Sequence, residues 1–533
     1  MTDFLTSARR AWLGNAATAV LLFLSFPPLG HPFLGFIALV PAALAAASRP
    51  DWRDWRRSAF ACSWLLWVGL LIWLRHVHPP LGPLGLLLLT AWCALFPWAW
   101  LMLLRWILPA CGDAGLPARL LAMLGLAGGW ALLEWTRSVA LTGFGWLPLS
   151  ASQTGNPVML SLCAWAGPFG LSAALVLLNL GLARWTIRLA DLRKAGPAPA
   201  GPAGWLSRLT PELYLGLVPV GLAFLTFVSA GALGAAWEDK DEVRVGVVQT
   251  DFNPYLKWDS ARLGDNVELV RKLTLVAAGP GEADVVLWPE AALPLSLEEP
   301  GYVRLLKETA GAARTTLVIG AIERRGAGYA NSVVAVSADG ITPAYAKRHL
   351  VPFGEYVPLA DFLPLRKVVP IAEDCVRGEG PTLLPVTTAK GRTFAIGPLV
   401  CYEDVFPALA RDHALAGADV LAVVTNDAWY GREAGAHQHA AHSALIAAAT
   451  GLPVMRCGNA GWSGTIDRLG RSHPLTSGED RTIYFRGGMR AASVWLPKRP
   501  EPTFWVRHGE WAPGLGGLFL AATYVWRRRR GRA

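Results

Sequence analysis

Gly397-Pro398-Leu399-Val400-Cys401-Tyr402-Glu403-Asp404 closes an apolar, strand-like run that begins at Thr393. Two other such runs also end on a chemically useful side chain. Asp284 to Trp288 leads into Pro289 and Glu290, and Ala344-Tyr345-Ala346 leads into Lys347. A thiol, a carboxylate and an amine at three strand ends make a nucleophile, a general base and an oxyanion stabiliser. Singly, each has a plainer reading: a core cysteine, a solvated turn glutamate, an exposed strand lysine. Their occurrence together in one domain favours catalysis. Thiolate is the nucleophile, so the thiol needs a base or a positive charge beside it. Glu290 accepts the proton, and Lys347 lowers the thiol pKa and donates to the oxyanion. A lysine buried between acids stays charged. His349, two residues beyond Lys347, is read as structural.

Around these positions the chain alternates β-rich and helix-like segments. Strands are expected at 243–249, 284–288, 316–322, 332–336, 393–400, 419–425 and 453–456. Helices are expected at about 260–277, 301–313, 406–416 and 437–450. This alternation implies a layered α/β domain over residues 243–500. The segment 350–380 is long, Pro-rich and aperiodic, which marks an active-site loop.

The rest of the chain has a different solvent. Of 533 residues, 53% are hydrophobic and only 17% charged, with 25 tryptophans. That is too apolar for an ordinary soluble protein, and so many tryptophans suit interfacial belts. Apolar spans read at about 11–26, 33–47, 58–74, 81–104, 120–136, 158–183 and 213–236, giving a seven-helix membrane domain over 1–236. An eighth at about 512–526 lies in a terminal segment, 511–533, with a basic tail. A crossing needs about 20 apolar residues, so the second and eighth spans are short. A cleaved signal peptide does not fit, because further spans follow and no small-residue cleavage site is evident.

The net charge of +10 resides largely in loops. Arg9, Arg10, Arg49, Arg53, Arg56, Arg57, Arg105, Arg119, Arg184, Arg188, Arg193, Lys194, Arg208 and the terminal arginines fall on one side. Arg75 and Arg137 alone fall in short loops on the other. The positive-inside rule then puts both termini in the cytoplasm and the α/β domain outside. The charge therefore reads as topology rather than as nucleic-acid binding. Residues 195–204 read as a flexible cytoplasmic linker. Glu134 and Arg137 read either as a functional pair at membrane depth or as an interfacial ion pair. The aromatic loop 142–149 is expected to rest in the outer leaflet beside the site. The seven cysteines show no CxxC and no metal-ligand spacing, so no disulfide scaffold and no metal or organic cofactor is implied.

Glu290, Lys347 and Cys401 match, in order and local context, the Glu-Lys-Cys triad of the nitrilase superfamily of carbon–nitrogen hydrolases. Leu350-Val351-Pro352-Phe353-Gly354-Glu355-Tyr356-Val357-Pro358, Cys401-Tyr402-Glu403-Asp404-Val405-Phe406-Pro407, Trp258 after Tyr255-Leu256-Lys257, and Asn426-Asp427-Ala428-Trp429-Tyr430-Gly431 resemble the apolipoprotein N-acyltransferase family more narrowly. The resemblance implies an α-β-β-α nitrilase-like domain joined to about eight membrane helices. It implies acyl transfer from a phospholipid, through a Cys401 thioester, to the amine of an apolipoprotein's N-terminal diacylglyceryl-cysteine, the last step of bacterial lipoprotein maturation. It further implies a monomer of the inner membrane whose catalytic domain is periplasmic. Glu355 would support the triad, Tyr402 and Glu403 would shape the pocket, and Trp258 would contact lipid from a mobile loop. The sequence departs from the family at Ile446 and Ala449, where an Arg and a Glu are usual, and along Arg456-Cys457-Gly458-Asn459-Ala460-Gly461. Cys457 is not expected to be a second nucleophile.

Physical chemistry supports such an arrangement. Pulling a chain of about sixteen carbons from a bilayer costs on the order of 10 kcal/mol, at roughly 0.8 kcal/mol per CH₂. Fixing the thiol at the membrane surface removes that cost. Water competes with the amine for the thioester, so apolar loops, here 350–370 and 142–149, are expected to shield it. A tethered amidase would use the same triad but needs only one span. A transporter with an inactive ectodomain would not retain the triad.

Overall fold

Successive side chains of a strand point to opposite faces, and here the alternate residues enter two different cores. Val245, Val247, Val285, Leu287, Val420, Ala422 and Val424 share one apolar cluster. Val248 and Val286 belong to a second, and Leu421 and Val423 to a third. A strand buried on both faces needs an unbroken apolar run, which is why these segments are Val- and Leu-rich.

The computed structural model describes residues 2–78, 81–195, 208–236, 240–279, 281–326, 328–358, 360, 364–367, 374–388, 391–497 and 501–530. The chain forms two units, Met1–Gly234 with His508–Ala533, and Ala235–Arg507.

The second unit is an α-β-β-α sandwich, as expected. One six-stranded sheet runs Gly487–Arg490, Val245–Gln249, Val285–Leu287, Thr316–Arg325, Gly328–Val336, Tyr345–Ala346. The other runs Ser472–Pro474, Gly464–Ile466, Val454–Gly458, Val420–Thr425, Thr393–Val400, Leu384–Thr387. Each has parallel pairs at its centre and antiparallel pairs at its edges. The shared cluster fills the space between the sheets. Helices Leu263–Ala278 and Pro300–Ala313 contribute to the outer core of one sheet, and Pro407–Leu415 and Ala434–Thr450 to that of the other. The anticipated strands and helices are present. The short strands at Lys240–Val243, Leu384–Thr387, Gly464–Ile466, Ser472–Pro474, Gly487–Arg490 and Val494–Pro497 were not anticipated, because three or four residues carry too little periodicity.

The first unit is helical. Among the described residues four helices are long and apolar enough to cross a membrane: Gly82–Cys111, Leu116–Thr142, Cys163–Ala195 and Pro211–Ala230. Thr2–Ser25, Trp52–Leu70 and Trp511–Arg530 have 24, 19 and 20 residues but carry more polar ends. The second expected span is not one helix. It is a 3-10 turn, Pro32–Phe36, followed by Val40–Ala47. This broken segment lies along the first helix, where Ala42 N–H donates to Thr18 Oγ1 at 3.1 Å. The terminal helix packs on Leu116–Val139 through a glycine contact: a Cβ on Gly128 would stand 2.3 Å from Gly516 Cα. Small residues facing each other let membrane helices approach closely.

Glu134 and Arg137 brace the following loop. Glu134 Oε1 accepts from Trp130 Nε1 and Leu149 N–H, both at 2.7 Å. Arg137 Nη1 donates to Phe144 O at 2.8 Å and Trp146 O at 2.7 Å. Trp146 and Leu147 are buried in this unit, whereas Leu141 is exposed. Cys62, Cys93, Cys111 and Cys163 are buried, as small hydrophobes are. Of the linker 195–204, all but Ala195 lies outside the described residues.

Candidate active site

The catalytic candidates sit where strands stop. Val400 pairs with Val424 in parallel register, and Cys401 follows at once with φ +51. A left-handed φ on a non-glycine residue is held only by its surroundings. Glu403 supplies much of that hold. Its carboxylate accepts from Val400 N–H at 2.8 Å, Arg348 N–H at 2.6 Å and His349 N–H at 3.1 Å. Tyr345 Oη donates to both its oxygens at 3.0 Å. One buried carboxylate thereby ties the Cys401 turn to the residues flanking Lys347. Burial pushes Glu403 up, against those donors.

Lys347 leaves the edge strand Tyr345–Ala346, opposite Asn331, whose carbonyl accepts Lys347 N–H at 2.8 Å. Its side chain is 1% exposed. Nζ lies 2.8 Å from Glu355 Oε1 and 3.5 Å from Glu290 Oε1. Burial opposes its charge, but Glu355 and Glu290, with Cys401 adding to them when it ionises, outweigh burial and raise its pKa. Lys347 is thus held as ammonium, as expected of a lysine between acids. Asn331 Nδ2 donates to Glu290 Oε1 at 2.6 Å and Glu355 Oε1 at 3.2 Å, which sets the two carboxylates about one amine.

Cys401 is buried. Burial and then Glu290 push its thiol pKa up, while Lys347 pulls it down. The net direction is upward, so the expected lowering by Lys347 is outweighed. The resting group is a thiol, and its ionisation is coupled to both Glu290 and Lys347.

Glu355 comes from the long loop and fixes that loop by accepting Val351 N–H through Oε2 at 2.8 Å. Cys375 N–H donates to Glu355 O at 2.8 Å, and Gly378 N–H to Lys347 O at 2.9 Å. The described parts of 350–380 therefore run back to the site; positions 359, 361–363 and 368–373 lie outside the description. Tyr402 is buried and packs edge-on to Phe406, with ring centroids 4.9 Å apart. His349 lies past the strand end and stacks on Phe406 at 3.7 Å, a packing role. Trp258 stands apart, half-exposed with Tyr255 and Leu256 on a turn. Cys457 is fully buried, and its thiol donates to Val248 O at 3.3 Å.

Residues that sequence reasoning missed complete the setting. Lys257 Nζ donates to Ala291 O at 2.6 Å, anchoring the aromatic turn to the residue after Glu290. Burial pulls Lys257 down to about 8, against the charge of Glu290. Asn331 carries no local signal, because its role exists only across the sheet from Lys347. Among the described residues no cluster of His, Cys, Asp or Glu fits a metal ion.

Residues 244–493 match the carbon-nitrogen hydrolase family. Residues 18–181 match the apolipoprotein N-acyltransferase N-terminal domain. A Geobacter metallireducens protein named apolipoprotein N-acyltransferase is 32% identical over 545 residues, covering 98% of this chain and 96% of that one. Its namesake in Allorhizobium ampelinum is 33% identical over 556 residues, covering 97% and 96%. One from Caulobacter vibrioides is 30% identical over 500 residues, covering 88% and 87%. Alike over nearly its full length, and built as a helical unit plus an α-β-β-α unit, the chain belongs to the apolipoprotein N-acyltransferase family.

Proposed function

We propose that the protein N-acylates lipoproteins by a ping-pong reaction at Cys401, with a phospholipid as donor. Glu290 takes the thiol proton as sulfur attacks the sn-1 ester carbonyl. Lys347 stabilises the oxyanion of the tetrahedral intermediate. Its collapse breaks the ester C–O bond, and the proton on Glu290 passes to the departing lysophospholipid oxygen. The thioester then meets the α-amine of a diacylglyceryl-cysteine. Glu290 removes the amine proton, the amide forms, and the C–S bond breaks. The proton returns from Glu290 to the thiolate, restoring the enzyme.

The observation that carries this reading is the common ammonium: Lys347 lies within 3.5 Å of Glu290 and within 2.8 Å of Glu355. Asn331 and Lys347 both meet Glu290 at Oε1. Oε2 is the oxygen we assign to the thiol proton. Glu355 and Glu403 position the triad, Tyr402 packs the pocket wall, and Trp258 contacts lipid. The protein acts as a monomer in the inner membrane, with residues 1–236 and 511–533 spanning it. The catalytic domain, 243–500, is periplasmic and both termini are cytoplasmic; the Arg-rich loops support that orientation.

Intact-protein mass spectrometry after incubation with phospholipid vesicles tests the reading. An acyl mass on Cys401 is expected, stable until a diacylglyceryl-cysteine lipopeptide is added and then transferred to it. No acyl mass, or one lost equally fast to water alone, overturns it.

A further inference from the structure

Beneath Cys401 lies a buried charge cluster that the reaction above does not use. Asp404 comes from the turn Cys401–Val405, and Asp427 from the turn after strand Val420–Thr425. His439 comes from helix Ala434–Thr450, and Arg456 from strand Val454–Gly458. All four side chains are 0% exposed.

His439 Nδ1 lies 2.7 Å from Asp427 Oδ1, and Nε2 lies 2.8 Å from Asp404 Oδ1. Arg456 Nη1 donates to Asp404 Oδ2 at 2.5 Å, and Nη2 to Asp427 Oδ2 at 3.4 Å. Ser443 Oγ donates to Asp404 Oδ2 at 2.5 Å, and Thr425 Oγ1 to Asp427 Oδ1 at 2.9 Å. An imidazole with a carboxylate oxygen at each nitrogen carries both protons. Two anions then face two cations, and buried charge is tolerated in that balanced form.

The link to the reaction is a third contact. His439 Nε2 lies 3.2 Å from the Cys401 carbonyl oxygen and donates to it. Cys401 has the left-handed φ, and this contact engages its own backbone carbonyl. In a 3-10 turn residues i and i+3 eclipse, so Asp404 lies on the same side as Cys401. His439 thus donates to the carbonyl at the start of the turn and lies in ion-pair contact with Asp404 at its fourth residue, whose Oδ1 accepts no hydrogen bond among the described residues.

We infer that His439 is a positioning residue for the nucleophile: an imidazolium clamped by Asp404 and Asp427 that holds the Cys401 backbone in its attacking conformation. It acts on the nucleophile through the Cys401 carbonyl oxygen rather than by exchanging a proton with the sulfur. Its effect falls on the rate of sulfur attack and not on lipid binding.

The inference rests on Cys401 being the acylated residue. The test follows acyl-thioester formation by rapid quench and mass spectrometry, at varied phospholipid, in full-length protein. His439→Gln alone leaves two aspartates against one arginine and is expected to lower stability. The variant His439→Gln with Asp427→Asn restores neutrality without the clamp. It is expected to fold, to keep the parent's half-saturating lipid concentration, and to acylate about 10- to 100-fold more slowly, the scale of a misplaced reacting atom. A folded double variant that acylates at the parental rate overturns the inference. So does one that loses lipid affinity while keeping its maximal rate, and so does one that unfolds, since the cluster is then purely structural. An absent acyl mass in the parent sinks the Cys401 reading itself; a present mass with an undiminished variant sinks only this one.

Discussion

Glu355 Oε1 stands 2.8 Å from Lys347 Nζ, nearer than the 3.5 Å that separates the same ammonium from Glu290 Oε1. Glu355, the proposed supporting acid, and not Glu290, the proposed base, makes the shorter ion pair, which leaves Glu290 less committed and able to take a proton in the proposed reaction. Glu355→Gln removes that pairing and gives Lys347 wholly to Glu290. We expect kcat for acyl transfer to fall about 100-fold, with both base and oxyanion donor displaced. Steady-state kinetics on a diacylated lipopeptide measure it, and an unchanged kcat would remove Glu355 from the mechanism.

Gly320 faces the base. A Cβ there would stand 2.5 Å from Pro289 O and 2.6 Å from Glu290 Cα. Gly320→Ala must therefore push the Glu290 turn outward. We expect kcat to drop about 10- to 100-fold from displacement of the carboxylate, at a stability cost of about 1–3 kcal/mol for overpacking. Parental kcat in a folded variant would show that Glu290's position does not govern the rate.

The two buried cysteines of the sandwich should behave differently. Cys457→Ala retains acyl transfer and loses about 1 kcal/mol with its weak hydrogen bond. Cys401→Ala loses all covalent acylation. Peptide mapping after phospholipid treatment distinguishes them, and acyl mass on the Cys457 peptide would contradict the assignment.

Stability should fall on the alkaline side. Burial opposes the charge on His439, but Asp404 and then Asp427 outweigh it against Arg456, raising its pKa from 6.5 to about 9. A raised pKa stabilises fully below the unfolded value, and the gain disappears as pH climbs through the folded one. The contribution, on the order of 3 kcal/mol, is therefore present near pH 6.5 and lost through about pH 9. Lys257, pulled down to about 8, acts with the opposite sign above that pH. The readout is accordingly the difference in thermal midpoint between parent and His439→Gln/Asp427→Asn, from neutral to alkaline pH. Parallel curves for the two proteins would contradict the prediction.

Periodicity in the sequence sufficed for the main strands and helices of the sandwich, because a strand buried on both faces must be continuously apolar. Its limits show at the second membrane segment, where the apolar stretch read at about 33–47 hides a break after Phe36. Composition registers how apolar a stretch is, not whether its backbone stays helical. They show again at Glu134 and Arg137, which sequence reading left between a functional site and a simple ion pair, and whose hydrogen bonds hold the loop 144–149.

By itself, the sequence determined the class of chemistry and the solvent of each half: Glu290, Lys347 and Cys401, the proposed triad, each stand in a local motif, and apolar spans with arginine-rich loops are legible residue by residue. The tertiary structure alone decided the electrostatics. That Lys347 is shared by two carboxylates, that Asn331 sets those carboxylates, and that His439 reaches the Cys401 carbonyl depend on partners 8 to 57 residues away along the chain. Charge interactions depend on distance and burial, and neither is a property of a residue's neighbours in sequence.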